Sequence, residues 1–214
     1  MRIPGVRIGL ALAAVGVMAG SLLAPASLRA SEAVPSEWAA PVVPGEPDPG
    51  LFAEALRFFS NAARRAQGLG PLADDPALTS AAMEHARNMA RLQTHGHVLP
   101  VPGQRTLRER LQRRGVTFRL AGETIARDKI FRLLGRPISM ESRGCAFLYG
   151  DTREPVPVHT YASLAQQTVA RWLASPRHRA ALLSPRFRRI GSGLGVDPSG
   201  PACGDFYLVQ TFAD

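Results

Sequence analysis

Histidine and cysteine have the widest chemical use among the side chains of this sequence, and both are rare. The 214 residues include five histidines and two cysteines. Neither a His-Glu-x-x-His zinc motif nor a Gly-x-Ser-x-Gly nucleophile motif occurs. The sequence therefore offers imidazoles that could bind a metal ion or a ligand, but no recognisable hydrolase signature.

Two of the histidines fall in predicted helices. Asp75 and Pro76 form a helix start, and the stripe that follows places His85 towards the core, together with Leu78, Ala82, Met89 and Leu92. His178 follows Ser175-Pro176, a second helix start. In a first helical turn the helix dipole favours a neutral imidazole, which suits a ligand contact as well as a hydrogen bond.

The helices that would hold these residues follow from apolar spacing and from capping residues. Besides the helix after Asp75, the pattern predicts four others: Leu51 to Gln67, Leu107 to Arg114 capped by Thr106, one through Leu164 to Leu173, and one from Pro176 through Leu183. Trp172, Phe187, Phe206 and Phe212 are expected in the core.

Extended segments separate and follow the helices. Residues 117–125 and 147–149 read as strands, and 190–196 and 206–212 as an antiparallel pair. Residues 128–159 read as an excursion from the domain. The element order predicts an α+β fold with helices packed on an antiparallel sheet.

The N-terminus has the pattern of a secretory signal. Arg2 and Arg7 precede an uncharged stretch from Ile8 to Leu28, and small residues suited to cleavage follow it. We expect residues 1–30 to be removed, although an apolar stretch of this length could also remain as a membrane anchor. Five prolines in residues 31–50 predict a linker, so the folded domain is expected at 51–214.

The basic charge and the cysteines are interpreted in the light of export. Loss of residues 1–30 would lower the net charge from +9 to +6. An arginine-rich surface suits an anionic envelope component, whereas export argues against nucleic acid. Cys145 and Cys203 are expected to form a disulfide in an oxidising compartment, with two buried free thiols as the alternative.

Four segments, in order, resemble the conserved blocks of the CAP superfamily, which includes cysteine-rich secretory proteins, antigen 5 and plant pathogenesis-related proteins. They are RRAQGLGPLADDPAL (64–78); HARNMA (85–90) with THGH (94–97); AGETIA (121–126); and WLASPRHRAALLSPRFRRIGSGLG (172–195) with YLVQTFA (207–213). Thr124 stands where the family has Asn. The resemblance covers about residues 55–212 and is closest to the bacterial members.

The resemblance implies a three-layer α-β-α sandwich with a cleft lined by histidines and acids. On this sequence the cleft residues are His97, with His95 as its alternative, Glu123 and His178. The family's second glutamate has no counterpart, since no Asp or Glu lies between Tyr161 and Arg189. The remaining acid candidates lie in the excursion, which also carries a further histidine: Glu141, Asp151, Glu154 and His159.

Such a residue set supports three interpretations of function. His97, His178 and Glu123 could hold zinc or another divalent cation, as in a metal-dependent hydrolase or protease. Glu123 could instead tie neighbouring loops together through hydrogen bonds. We favour a non-enzymatic module that binds a lipid, a sterol or an envelope polymer in the cleft, ahead of the hydrolase and of a protein-interaction domain. A periplasmic or secreted monomer of a bacterium is expected.

Overall fold

The computed structural model of the protein describes residues 33–133, 135–140, 145–200 and 202–214. The predicted signal segment and Glu141 lie outside the described residues. Among the helices that are described, none combines the length and the hydropathy needed to cross a membrane.

All five predicted helices are present. They are α1 (Pro49–Ala66), α2 (Pro76–Leu92), α3 (Leu107–Arg113), α4 (Tyr161–Ala174) and α5 (Pro176–Leu182). Asp75 caps α2 by accepting hydrogen bonds from the amides of Ala77 and Leu78. Ser175 and Pro176 mark the start of α5 as predicted, with Ser175 at the N-cap position, although its side chain makes no capping hydrogen bond.

The central sheet is mostly antiparallel, as predicted. It contains β1 (Ala73–Asp74), β2 (Ala121–Lys129), β5 (Arg189–Asp197) and β6 (Asp205–Ala213) in the order β1-β5-β6-β2, with only β1 parallel to its neighbour. A separate hairpin joins β3 (Ile138–Met140) to β4 (Phe147–Tyr149). Strand β2 starts and ends later than predicted, and it forms an edge of the sheet.

Helices cover both faces of this sheet. Along β6 the side chains alternate: Phe206 and Leu208 pack in one core with α1 and α4, whereas Tyr207 and Val209 pack in another core with α2. Each face of the sheet therefore has its own hydrophobic core. This arrangement accounts for the three-layer α+β fold.

Helix α2 lies directly on the backbone of β5. A Cβ atom on Gly193 would lie 2.4 Å from the carbonyl group of Ala82 in α2, and Gly191 and Gly195 are as close to the same helix. Only glycine permits so short a separation. The position of α2, and of His85 on it, is thereby fixed against the sheet.

Residues 36–50 differ from the expected linker. Trp38 and Val42 are buried, and the Val42 amide donates a hydrogen bond of 2.8 Å to the carbonyl of His159. The prolines fix the local backbone as predicted, but they do not prevent the apolar side chains between them from packing. The folded unit therefore includes this arm and begins well before Leu51.

The predicted disulfide is present. Cys145 and Cys203 are bonded, with their Cα atoms 5.7 Å apart. The bond links the segment preceding β4 to the turn between β5 and β6, and so attaches the excursion to the sheet.

Candidate functional site

Glu123 lies near the start of β2 and holds a carboxylate that is almost completely buried. Its Oε1 accepts a hydrogen bond of 2.8 Å from His97 Nδ1, and its Oε2 accepts one of 2.6 Å from Arg110. Burial alone would raise the pKa of this carboxyl. The hydrogen bond from His97 and the charge of Arg110 outweigh burial, so the pKa of Glu123 lies below its ordinary value and the group is ionised.

Arg110 is the buried cation that balances Glu123. It lies on α3 and its side chain is fully buried, and besides Glu123 it donates to the carbonyl of His97 at 3.1 Å. One guanidinium thus fixes both the carboxylate and the loop that carries the histidine. We call Glu123, Arg110, His97 and His85 the Glu123 site.

His97 is the solvent-facing member of the Glu123 site. It lies in the loop after α2, and 52% of its side chain is exposed while its Nδ1 atom contacts the buried carboxylate. About half of the side chain is therefore open to a molecule arriving from solvent. His95, two residues earlier, is also exposed.

His85 is the buried histidine of the Glu123 site. As predicted, it points from α2 into the protein core, with 1% of its surface exposed. Its Nε2 lies 3.8 Å from Glu123 Oε1, and neither ring nitrogen has a hydrogen-bond partner in the described part of the chain. Burial lowers the pKa of His85 to about 4, against the smaller opposing effect of Glu123, so the ring is neutral at pH 7.

Helices α4 and α5 are anchored beside β2 by buried and edge contacts. The Trp172 indole donates to the carbonyl of Ile125 at 3.0 Å, and Arg171 donates to the carbonyl of Arg127 at 2.9 Å. From the other side, the buried Arg64 of α1 donates to the carbonyls of Leu182 and Ser184 at the end of α5. Helix α5, which carries His178, is therefore held in place at its C-terminal end.

His178 is half-buried and contributes to the same region without a direct bond to Glu123. Burial, and to a lesser extent His97, lowers the pKa of His178, which places the two imidazoles within electrostatic range of each other. Its ring makes no hydrogen bond to any residue that the structure describes. The structure therefore joins His97 to Glu123 directly and leaves His178 and His95 as neighbours.

The described residues of the excursion that were candidates for a further cleft residue form contacts away from Glu123. Asp151 pairs with Arg136, Glu154 accepts a hydrogen bond from Thr152, and His159 is buried against Ser163. In the described part of the excursion, neither these acids nor the histidine forms a hydrogen bond or ion pair with Glu123. The family's second glutamate thus has no counterpart here in these residues.

The metal site that the resemblance implies fits these residues poorly. Both oxygens of Glu123 already have partners, and a divalent cation beside the carboxylate would lie close to the guanidinium of Arg110, which repels it. Across the described ranges, no three His, Cys, Asp or Glu side chains are grouped so that they could hold a metal ion. Glu123 serves as the partner of Arg110 rather than as a ready ligand.

Arg110 is the member of the Glu123 site that we did not predict from the sequence. A signal for it existed, because Arg110 lies between Leu107 and Leu111 on the apolar side of a short amphipathic helix. A charged residue at a core-facing helical position indicates a buried ion pair. What the sequence does not give is its partner, which is 13 residues away on β2.

Comparison with known proteins identifies relatives of this fold. A model described as the cysteine-rich secretory protein family, CAP, matches residues 59–212. The fold resembles an extracellular SCP-domain protein of Bacillus anthracis (TM-score 0.54, 23% identity, 81% of this chain and 44% of that one). It also resembles an outer surface protein of Borrelia burgdorferi (TM-score 0.50, 20% identity, 75% and 90%). No curated protein matches in sequence.

Proposed function

The chain belongs to the cysteine-rich secretory protein family, CAP, and we propose that it acts outside the cytoplasm as a ligand-binding module. The proposed binding site is a cleft formed by the Glu123 site with His95 and His178. One observation carries the proposal: a buried carboxylate is held by a buried arginine and by a histidine that is itself half exposed. Such a rigid, solvent-accessible polar site suits recognition.

The electrostatics of Glu123 support binding in preference to hydrolysis. A general base needs a pKa close to the working pH, but the pKa of Glu123 is shifted down and its charge is balanced by Arg110. The carboxylate is therefore suited to orienting His97. The metal-dependent hydrolase is kept as an outcome of the test below.

An apolar contact beside His97 supports a ligand with a hydrophobic part. Val98 follows His97 directly and has 60% of its surface exposed, one of four large hydrophobic residues exposed in the described chain. An apolar side chain next to polar donors matches an amphipathic molecule such as a lipid or a sterol, or an envelope polymer. The ligand would contact both kinds of surface.

Export is part of the proposal and rests on three supports. The N-terminal sequence has the signal pattern, and the single disulfide suits an oxidising compartment. The similar structures are described as an extracellular and an outer surface protein. The chain spans 44% of the length of the Bacillus anthracis protein, so any activity of that whole protein does not transfer.

Vesicle binding tests the proposal. We expect the purified protein to bind vesicles of phosphatidylcholine with phosphatidylglycerol, and Val98→Ser or His97→Ala to weaken that binding severalfold. Met140→Ser is the matched control, because Met140 is exposed to a similar extent but lies on the β3–β4 hairpin. Equal binding by all variants would place the contact surface elsewhere. Zinc-dependent hydrolysis of a peptide or ester substrate, lost in His97→Ala, would favour the hydrolase.

A further inference from the structure

Three arginines meet at residues 184–188, the short segment that joins α5 to β5. The buried Arg64 of α1 donates a hydrogen bond of 2.9 Å to the carbonyl of Ser184. Arg186 and Arg188 belong to the segment itself, and both are exposed. Hydrogen bonding and chain connectivity therefore bring three guanidinium groups to one stretch of backbone.

The 184–188 segment is fixed to the sheet. The amide of Arg188 donates to the carbonyl of Ala213 at 2.8 Å, and its own carbonyl accepts from Ala73 at 2.9 Å. The buried ring of Phe187 stacks on that of Phe212, with the ring centres 5.4 Å apart. The exposed arginines consequently extend from a backbone that has little freedom to move.

None of the three arginines pairs with a carboxylate in the described part of the chain. The guanidinium of Arg64 donates only to carbonyls, one of them that of Gly70 at 3.0 Å. The guanidinium of Arg188 also donates only to carbonyls, including that of Pro185 at 2.6 Å. Carbonyl groups carry partial charges, and a guanidinium stays protonated, so each arginine keeps its positive charge.

The acids beside the segment do not neutralise these charges. Asp75 pairs with Arg189 at 2.7 Å, and Asp214 pairs with Arg119 at 3.2 Å. Asp74 is exposed on β1 and forms no ion pair with the arginines of the segment in the described residues. One unpaired acid is too few to offset three unpaired cations, so the surface remains positive.

A cavity of about 430 Å³ opens beside Arg186, and its lining comprises Arg119, Leu120, Arg186 and Asp214. Its volume lies within the range of small-molecule sites. The guanidinium of Arg186 suits an anionic group, the carboxylate of Asp214 can accept a hydrogen bond from a hydroxyl, and Leu120 offers an apolar contact. A sugar ring that carries a carboxylate presents all three kinds of group.

We propose that the 184–188 segment, with Arg64 and this cavity, forms a second binding surface for an acidic polysaccharide whose sugars carry carboxylates. One sugar occupies the cavity with its carboxylate on Arg186, and a further carboxylate of the polymer pairs with Arg188. The surface goes beyond the proposed function, since it shares no residue with the Glu123 site, His95 or His178. Regular charges along a polymer match cations held on a rigid segment.

The composition of the surface favours a polysaccharide over a membrane or a nucleic acid. The large hydrophobic residues exposed in the described chain all lie outside it: Val34, Val43, Val98 and Met140. A membrane-binding surface normally adds apolar side chains to its basic ones. None of these exposed residues is aromatic, so the surface lacks the rings on which the bases of a single strand would stack.

Calorimetric titration of the full chain with polygalacturonate at low salt tests the proposal. We expect binding that weakens as sodium chloride is added, with a Kd that rises about tenfold in Arg186→Gln and further in Arg186→Gln/Arg188→Gln. Dextran, a neutral polymer, should not bind. Both arginines are exposed, and unchanged urea midpoints would show that the variants remain folded.

Arg87→Gln is the matched control for the loss of one positive charge. Arg87 is an exposed arginine of α2, which covers the opposite face of the sheet from α1, and it too forms no ion pair in the described residues. Arg87→Gln should bind polygalacturonate as the native protein does. An equal loss of affinity in Arg87→Gln and Arg186→Gln would show that net charge alone attracts the polymer, and would overturn the inference.

The other outcomes separate this surface from the cleft. No binding by the native protein, or an unchanged Kd in the double variant, would also overturn the inference. His97→Ala should retain polygalacturonate binding; a loss there would assign the polymer to the cleft, which supports the proposed function and ends this inference. Binding through Arg186 of an oligonucleotide or of phosphatidylglycerol vesicles, but not of the polysaccharide, would assign the surface to that partner instead.

Discussion

Arg110 and Glu123 form a buried ion pair in which a guanidinium nitrogen lies 2.6 Å from Oε2, and only 3% of the glutamate side chain and none of the arginine side chain are exposed. The pair connects α3 to the edge strand β2. Two charges removed from water stabilise a fold little when both are present, but either one alone is very unfavourable.

The losses of stability from substituting the two members of this pair should therefore not be additive. We expect Glu123→Gln and Arg110→Met each to lower the free energy of unfolding by about 3–5 kcal/mol, and the double variant to lose clearly less than the sum. Urea denaturation of the four proteins measures this. Additive losses would show that the two side chains do not depend on each other.

The stability of the protein should fall as the pH is lowered from about 6.5 to about 4. His85 and His159 are buried and their pKa values are near 4 when folded, against about 6.5 in an unfolded chain. Between these values the unfolded state binds protons that the folded state does not, so acid favours unfolding.

The loss should be on the order of 3 kcal/mol for each histidine across this window. Above about pH 6.5 the two histidines should cause no loss of stability. Denaturation at several pH values measures the slope, and His159→Gln should remove about one proton from it. A stability that does not change between pH 7 and pH 5 would contradict the burial of both rings.

Loss of the disulfide should destabilise the domain without changing the fold of the sheet. Cys145 and Cys203 close a loop of 58 residues, and the chain-entropy model gives about 4 kcal/mol for such a loop. Comparison of Cys145→Ser/Cys203→Ser with the native protein by thermal and urea denaturation measures the difference. A variant as stable as the native protein would mean that the excursion is held by other contacts.

The contact between α2 and β5 should not tolerate even a methyl group. Gly193→Ala would bring its Cβ to 2.4 Å from the backbone of Ala82, so we expect a loss of about 3 kcal/mol or more as the helix moves away. Gly70→Ala is the control, since a Cβ there meets nothing within 4 Å. Similar stabilities for the two variants would indicate that α2 has freedom to shift.

The N-terminal arm should contribute to stability although its sequence resembles a linker. Trp38 is 5% exposed and its ring lies 5.2 Å from that of Phe58 in α1. Trp38→Ala should cost about 3–5 kcal/mol, as for other buried aromatic residues. Val43→Ala, at an exposed position of the same arm, should cost little. If Trp38→Ala were as stable as the native protein, the arm would behave as the linker that the sequence predicts.

Local signals in the sequence explain why the helices and the final hairpin could be predicted. Asp75-Pro76 and Thr106 mark helix starts through hydrogen bonds within three residues, and the alternation in β5 and β6 repeats over a whole strand. The packing of the arm around Trp38 was not predicted, because prolines indicate only the local backbone conformation. Whether Trp38 is buried depends on partners that are distant in the sequence, such as Phe58.

Two residues of the Glu123 site could be predicted from the sequence, but the ion pair between Arg110 and Glu123 could not. The family pattern pointed to His97 and Glu123, which the structure joins, but the choice of Arg110 as the buried partner depends on how α3 packs against β2. The exposed faces of Arg127 and Arg171 depend in the same way on the burial of Asp205 and Asp128. Sequence shows the charges, whereas only packing shows which of them a ligand can reach.

The position of β6 has a consequence for how the domain comes to be made. The last strand of the domain lies between β5 and β2, and all nine of its residues are buried. Until that strand leaves the ribosome, β2 and β5 have no common neighbour, and the two cores remain open to water. The sheet therefore cannot close before this strand is in place, and we expect the domain to fold only once its whole sequence is available.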